Sequence, residues 1–201
     1  MLDLDASLQE LKEICTLRSG ILKTENDLAR YQWIIDTVKP EVIIETGFAF
    51  GGSCKWFAER VPLVISIDQN PEYLKSVTDL PDNVITVLGK SVDVFERVRD
   101  FVGDKAPVMV SLDSDHGTDT VYYEMELYGQ LVSNGSYCVV EDGIFDYYEK
   151  NWYDGSPLKA INKFLLTENG SHFVNDIKLE NRYLTTQHPG GWLRKMNSFP
   201  K

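Results

Sequence analysis

Short apolar runs alternate with amphipathic segments through the middle of the chain, and this alternation predicts its fold. Apolar runs bounded by turn residues predict β-strands at 41–46, 63–68, 84–88, 107–113 and 136–141. Helical spacing between these runs predicts helices at 53–60, 71–78, 91–102 and 118–132. Nearly continuous apolar strands that alternate with helices indicate a parallel sheet covered on both faces. Right-handed crossovers between such strands give a doubly wound, Rossmann-like α/β fold.

The residues before the first strand have a helical pattern. Apolar spacing predicts one helix at 4–14 and a second at 24–38. Thr24 and Asp27 resemble a capping box at the start of the second helix. We expect residues 1–38 to form an N-terminal helical segment that serves as an interface or a lid, and residues 39–201 to form the main domain.

The C-terminal part departs from the strand-helix alternation. A helix predicted at 157–167 is followed by two β-type patterns, at 172–178 and 183–187. The short polar stretch 179–182 joins them. This arrangement predicts an antiparallel hairpin at the end of a mostly parallel sheet.

Composition and charge restrict the class of partner. The 201 residues contain 31 acidic and 20 basic side chains, which gives a net charge of −11. Nucleic acids and anionic membranes bind clustered Lys and Arg, so neither is expected as a partner. The excess acid either keeps the protein soluble or includes residues that converge on a cation. Three sparse cysteines and an acidic start without a signal peptide predict a reduced, cytoplasmic protein.

A glycine-rich turn follows the first predicted strand of the sheet. It runs from Glu45 to Ser53, at the carboxyl edge where open α/β sheets bind ligands. Glycine allows the backbone to turn tightly and to approach a ligand closely. Asp68 ends the second strand, where a carboxylate can accept hydrogen bonds from ribose hydroxyls. The glycines alone are compatible with an ordinary turn, whereas the glycines together with Asp68 favour a nucleoside ligand.

NAD is one nucleoside ligand that such a turn can hold. The dinucleotide fingerprint requires glycines in the pattern G-x-G-x-x-G. The corresponding positions here are Gly47, Ala49 and Gly52, so the middle glycine is missing. This difference weakens the interpretation as a nucleotide-dependent oxidoreductase without excluding it.

Acidic residues end two further strands at the same edge of the predicted sheet. Asp113 follows the fourth strand, and Glu141 and Asp142 end the fifth. Carboxylates that converge repel one another unless a cation lies among them. Oxygen ligands favour a hard divalent ion, above all Mg²⁺. The alternative is that these residues are helix caps or exposed turn acids.

Other side chains near these acids have two possible roles each. His116 lies three residues after Asp113 and could accept a hydroxyl proton, although a single histidine is more often structural. Asp115 is expected to cap the next helix. Trp192 follows Pro189-Gly190-Gly191 and is expected to pack in the core.

Three segments resemble the cephalosporin hydroxylase family of class I methyltransferases, which is related to macrocin-type O-methyltransferases. They are IIETGFAFGGS at 43–53, VSLDSDHGTDTVYYEMELYGQLVSNGSYCVVED at 110–142 and HPGGWLRK at 188–195. The middle segment is the most specific, and the resemblance covers nearly the whole chain. It implies a seven-stranded methyltransferase sheet, S-adenosylmethionine (SAM) in the turn and a metal on Asp113, Glu141 and Asp142.

The resemblance also assigns expected roles to individual residues. Mg²⁺-dependent catechol-type O-methyltransferases have a lysine base where this chain has His116, so the identity of the base is open. We expect Asp113 and His116 to act in catalysis. The expected SAM-binding residues are Glu45, Thr46, Gly47, Phe48, Ala49, Gly51, Gly52, Ser53, Asp68, Ser91 and Asp113.

These expectations combine into one predicted activity, which is Mg²⁺-assisted methyl transfer from SAM to a hydroxyl of a sugar or natural product. The aromatic segment 145–153 is either a lid over the acceptor pocket or a packing or subunit contact. We expect a homo-oligomer. The rival predictions are an NAD-type oxidoreductase and a catalytically silent methyltransferase-like subunit.

Overall fold

The fold was analysed in a computed structural model, which describes Ala6, residues 21–147 and residues 155–196. The helices are α1 Glu25–Val38, α2 Gly52–Ala58, α3 Pro71–Ser76, α4 Phe95–Val102, α5 Thr118–Tyr128, α6 Pro157–Phe164 and α7 Ile177–Glu180. The strands are β1 Val42–Thr46, β2 Leu63–Asp68, β3 Val84–Leu88, β4 Val108–Leu112, β5 Tyr137–Val140, β6 Phe173–Asn175 and β7 Trp192–Lys195. Two 3₁₀ turns span Gly143–Tyr147 and Gly170–His172. Apart from Ala6, the helix predicted at 4–14 lies outside the described residues.

The strands form one seven-stranded sheet in the order β3-β2-β1-β4-β5-β7-β6. The first five strands of this order are parallel, and β7 pairs antiparallel with both β5 and β6. The chain reverses its direction across the sheet between β1 and β4. In doubly wound folds ligands bind beside this switch point, at the carboxyl ends of the strands. The predicted fold class is confirmed, including an antiparallel end.

Both faces of the central strands β1, β4 and β5 are buried, which explains their continuous apolar sequences. Successive side chains of a strand point to opposite faces. Ile44 therefore packs in the cluster under α4, α5 and α6, whereas Ile43 packs in the cluster under α1 and α2. Because helices cover both faces, all five residues of β1 and all five of β4 are buried.

Helix α1 belongs to the same core as the sheet. Its Tyr31, Ile34 and Ile35 are buried in one cluster with β1 and Trp192. Thr24 is the N-cap, since its Oγ1 accepts the N–H of Asp27 at 3.1 Å, so the predicted start is confirmed. An interface or lid role for residues 1–38 stays a prediction.

The hairpin at the end of the sheet is built from other residues than the sequence predicted. The strand predicted at 172–178 is only β6, because Asp176 accepts the N–H of Leu179 at 3.0 Å and starts helix α7. The strand predicted at 183–187 is wrong, and β7 takes its place. Trp192, the first residue of β7, is fully buried in the core as expected.

A buried arginine explains why residues 183–187 do not form a strand. The Arg30 guanidinium, fully buried in α1, donates to the backbone carbonyls of Leu179, Glu180, Tyr183 and Thr185 at 2.6–3.2 Å. Carbonyl groups that accept hydrogen bonds from the Arg30 side chain do not serve as acceptors for the N–H groups of a neighbouring strand. Arg30 therefore fixes this segment as a loop against α1.

Candidate active site

The glycine turn between β1 and α2 lies against the end of β4. Gly47 has φ +88°, and a Cβ atom there would lie 1.9 Å from the carbonyl oxygen of Asp113. Only glycine fits this position, since it combines the left-handed conformation with a close backbone approach. Gly51 has φ +70° and packs under the ring of Phe48. The turn is therefore joined directly to the first of the predicted acidic residues.

Asp68, at the end of β2, holds the turn in place. Its Oδ2 accepts the N–H groups of Phe48 at 3.0 Å and Ala49 at 3.1 Å. Its Oδ1 accepts the N–H of Asn70 at 2.8 Å. The carboxylate also lies in the wall of a cavity, so it faces any ligand that the turn holds.

That cavity has a volume of about 550 Å³ and opens beside the switch point. Pockets for small molecules typically have about 300–1,000 Å³, so a nucleoside-sized ligand fits. Its wall includes five of the predicted SAM-binding residues, namely Gly47, Ala49, Asp68, Ser91 and Asp113.

The other predicted SAM-binding residues lie behind this wall. Glu45, Thr46 and Phe48 are buried beneath the turn, and Gly51, Gly52 and Ser53 form the start of α2. Burial raises the pKa of Glu45 to about 7, and its Oε2 accepts a hydrogen bond from the Ser66 hydroxyl at 2.8 Å. Among the described residues, these six support the turn and do not line the cavity. Direct contact with SAM stays a prediction for them.

Two of the predicted metal ligands meet His116 beside the cavity. One oxygen of Asp113, one of Asp142 and a ring nitrogen of His116 all lie within 4.8 Å of one another. The His116 Nε2 is 3.3 Å from Asp142 Oδ2 and 4.0 Å from Asp113 Oδ1. Two carboxylates and an imidazole at these separations can hold a divalent cation.

Glu141 takes part in a different contact, with a lysine that the sequence did not single out. The Lys23 Nζ lies 2.7 Å from both oxygens of Glu141 and 2.7 Å from Asp113 Oδ2. Tyr31 and Ser111 also donate to Glu141 Oε1, at 2.7 Å and 2.5 Å. The structure therefore places the Glu141 carboxylate on a buried ammonium group, whereas Asp113 bridges that group and the His116 cluster.

The pKa values of the three carboxyl groups differ accordingly. Burial alone would raise the pKa of Glu141, but the Lys23 charge and the hydrogen bonds from Lys23 and Ser111 lower it to about 2. Burial and the Glu141 charge raise the pKa of Asp113 to about 7, and burial raises that of Asp142 to about 6. Lys23 therefore stabilises the charged form of Glu141, whereas burial and the neighbouring carboxylates disfavour the charged forms of Asp113 and Asp142. Burial also lowers the pKa of His116, which favours a neutral imidazole.

His188 fixes the position of Asp142. Its Nδ1 accepts the backbone N–H of Asp142 at 2.9 Å, and Asp142 has φ +60°, a conformation that few residues other than glycine adopt. The proton of the ring is then on Nε2, which lies 3.4 Å from Glu141 Oε2. His188 opens the segment 188–195, and sequence reasoning gave this histidine no role.

The remaining sequence predictions have mixed outcomes. Asp115 is not the N-cap of α5, which is Gly117; its carboxylate accepts the N–H of Gly117 at 2.8 Å and the hydroxyl of Thr120 at 3.3 Å. Cys54 and Cys138 are buried free thiols. Of the aromatic segment 145–153, the structure describes only residues 145–147, in which Phe145 is buried and Tyr147 exposed. No helix of the described residues is long and apolar enough to cross a bilayer.

Comparisons with known proteins place this geometry in context. Residues 11–196 match the family described as Rhamnosyl O-methyltransferase/CmcI. The rhamnosyl O-methyltransferase of Mycobacterium tuberculosis strain H37Rv is 29% identical over 181 residues, covering 85% of this chain and 74% of that protein. The protein of the same name from Mycobacterium leprae is 28% identical, covering 86% and 79%.

Solved structures share the fold at low sequence identity. The structure titled "cmcI-D160 Mg-SAM" has a TM-score of 0.63 and 21% identity, covering 88% of this chain and 74% of that one. The MycE methyltransferase in complex with Mg, SAH and Mycinamycin VI has a TM-score of 0.61 and 14% identity, covering 86% and 51%. These likenesses establish the fold alone.

The fold, the glycine turn and the family match together define a SAM-dependent O-methyltransferase of class I. The chain belongs to the rhamnosyl O-methyltransferase/CmcI family, which confirms the resemblance to cephalosporin hydroxylases. The interpretation as an NAD-type oxidoreductase is set aside on this finding.

Proposed function

We propose that this protein transfers a methyl group from SAM to a hydroxyl of a sugar or sugar-bearing natural product, with assistance from Mg²⁺. One observation carries the proposal, namely the double position of Asp113. Its backbone carbonyl lies against Gly47 in the wall of the cavity, and its carboxylate belongs to the cluster with His116 and Asp142. Asp113 therefore borders both the cavity proposed for the methyl donor and the cluster proposed to activate the acceptor hydroxyl.

The residues of the cavity fit SAM. Gly47 and Ala49 bring the backbone of the turn to the cavity, Asp68 offers carboxylate oxygens for ribose hydroxyls, and Ser91 also lines the cavity. SAM supplies the methyl group. The turn and Asp68 would fix its orientation, since positioning accounts for a large part of the acceleration in such transfers.

The acidic cluster fits a divalent cation. Asp113, Glu141 and Asp142 stand as the proposed ligand set, with His116 as a further neighbour. A buried ammonium ion already lies between two of these carboxylates, so the site stabilises positive charge. Mg²⁺ held by these residues would lower the pKa of an acceptor hydroxyl.

His116 is proposed as the base that accepts the hydroxyl proton. It is buried, and its Nε2 lies 4.0 Å from Asp113 Oδ1 and 3.3 Å from Asp142 Oδ2. Its lowered pKa keeps the imidazole neutral near pH 7, the form that can take a proton. The Asp142 carboxylate at 3.3 Å would then stabilise the imidazolium that results.

The names of relatives support the acceptor class. The curated relatives are named rhamnosyl O-methyltransferases, and a structural neighbour was solved with Mycinamycin VI. A sugar hydroxyl suits this acidic site, since a divalent ion held there would lower the pKa of the acceptor hydroxyl.

Calorimetry with SAM and with Mg²⁺, followed by assays on rhamnosyl acceptors, tests the proposed function. We expect SAM to bind with micromolar affinity and turnover to require Mg²⁺ and to stop with EDTA. Binding of SAM without turnover on any hydroxyl acceptor would indicate a silent methyltransferase-like subunit. Failure to bind SAM would contradict the proposal.

Replacing His116 separates its possible roles. For His116→Ala we expect kcat to fall by about 10²-fold or more, because a general base contributes roughly that factor. The acid limb of the pH-rate profile, which lies below the ordinary histidine pKa in the wild type, should disappear. His172→Ala, at an exposed histidine, is the control. A weaker Mg²⁺ affinity with an unchanged pH profile would make His116 a metal ligand and not the base.

Two properties outside the site stay predictions. We propose a homo-oligomer, which light scattering of the purified chain can measure. A cytoplasmic location is proposed from the free buried thiols of Cys54 and Cys138, which suit a reducing compartment.

A further inference from the structure

Lys23 is a buried cation inside the proposed metal site. Its side chain is only 2% exposed, and its Nζ makes three contacts of 2.7 Å with the oxygens of Asp113 and Glu141. The residue lies directly before the N-cap of α1 and is separated from Asp113 by 90 positions. No family assignment or sequence pattern above gave it a role.

Lys23 contacts three carboxylate oxygens of the proposed ligand set, namely Asp113 Oδ2 and both oxygens of Glu141. Mg²⁺ binds carboxylate oxygens at about 2.0–2.1 Å. An ammonium nitrogen 2.7 Å from those oxygens would then lie next to a divalent ion of the same sign. Two like charges at such a distance repel strongly in a buried site, so both cannot stay on the same oxygens of Asp113 and Glu141.

We propose that Lys23 is an internal cation that competes with the divalent metal for Asp113 and Glu141. In the absence of metal the ammonium group holds the two carboxylates together, and metal binding requires Lys23 to leave them. Lys23 thereby weakens the affinity for the metal and keeps the acidic site assembled without it. This inference rests on the proposed Mg²⁺ site.

The neighbours of Lys23 support such an exchange. Glu141 keeps hydrogen bonds from Tyr31 at 2.7 Å and from Ser111 at 2.5 Å, so its carboxylate stays oriented when the ammonium leaves. The His188 Nε2 lies 3.4 Å from the other oxygen of Glu141. Asp113 is the more accessible partner, with a side chain that is 24% exposed.

Titration of Mg²⁺ into wild type and Lys23→Met by calorimetry tests the competition. The methionine side chain keeps much of the apolar length of lysine and removes the charge. We expect Lys23→Met to bind Mg²⁺ at least about tenfold more tightly than wild type, because the competing charge is gone. Lys75→Met, which breaks the exposed pair with Glu72, should bind Mg²⁺ like the wild type.

A second measurement uses the wild-type chain, so it also serves if Lys23→Met does not fold. Reductive methylation of lysines is quantified for the peptide that contains Lys23, in EDTA and in increasing Mg²⁺. We expect Lys23 to react more slowly than Lys75 in EDTA, and its rate to rise with Mg²⁺. Modification of Lys23 that is unchanged or slowed by bound Mg²⁺ would overturn the proposal.

The outcomes distinguish this inference from the proposed function. Equal or weaker Mg²⁺ binding by Lys23→Met overturns the competition and leaves Mg²⁺-assisted transfer intact. Absence of Mg²⁺ binding from both chains overturns the competition together with the proposed metal site. Mg²⁺ binding by Lys23→Met but not by the wild type supports the competition, and it would mean that Lys23 prevents measurable binding in the wild type.

Discussion

Replacing Asp113 by asparagine is expected to reduce methyl transfer by about 10³-fold or more in kcat. Asp113→Asn keeps the shape of the side chain and its backbone contact with Gly47, but it removes the charge from the residue that joins the cavity to the acidic cluster. The cation site loses one of its carboxylates, and Lys23 loses one of its two acidic partners. Asp113→Asn should therefore weaken both metal binding and turnover.

Calorimetry and turnover assays on the same preparation check this expectation. For Asp113→Asn the affinity for Mg²⁺ should fall by roughly 10²-fold, whereas SAM should bind within about threefold of wild type, since the turn and Asp68 are intact. Asp100→Asn, at an exposed position of α4, is the control. Turnover by Asp113→Asn near the wild-type level would contradict the placement of Asp113 at the reacting centre.

The sequence predicted the sheet and its ligand edge well because local patterns encode both. The five parallel strands are short apolar runs, and their carboxyl ends carry the glycines and acids that meet in the structure. In the parallel sheet, a residue that ends a strand lies near the ends of neighbouring strands whatever the loops do. Asp68 and Asp113 could for this reason be placed from their positions in the chain alone.

Contacts that depend on one distant side chain could not be predicted in this way. Lys23 has no motif around it and reaches Glu141 across 118 positions. The β-type pattern at 183–187 was misleading because Arg30 of helix α1 donates to the backbone carbonyls of Tyr183 and Thr185. These carbonyls therefore bind a side chain and not a neighbouring strand. Lys23 and Arg30 are both buried charged residues, and their partners come together only when the tertiary structure forms.

The second large effect is expected at the glycine turn. In Gly47→Ala the new Cβ would lie 1.9 Å from the Asp113 carbonyl oxygen and 2.7 Å from its carbonyl carbon, so backbone atoms must move. Positive φ at this residue costs about 1 kcal/mol for alanine, and the overpacking adds about 1–3 kcal/mol to the loss of stability. The displaced segment includes Asp113 itself, so both the cavity and the acidic cluster should be affected.

Gly135→Ala is the matched control, because Gly135 has φ +82° but open space where its Cβ would lie. It carries the same conformational cost without the clash. Chemical denaturation should show a loss for Gly47→Ala that exceeds the loss for Gly135→Ala. Calorimetry should show SAM affinity reduced by 10²-fold or more in Gly47→Ala only, because shape at the turn controls access to the cavity. Equal behaviour of the two variants in both measurements would mean that the approach of Gly47 to Asp113 does not shape the site.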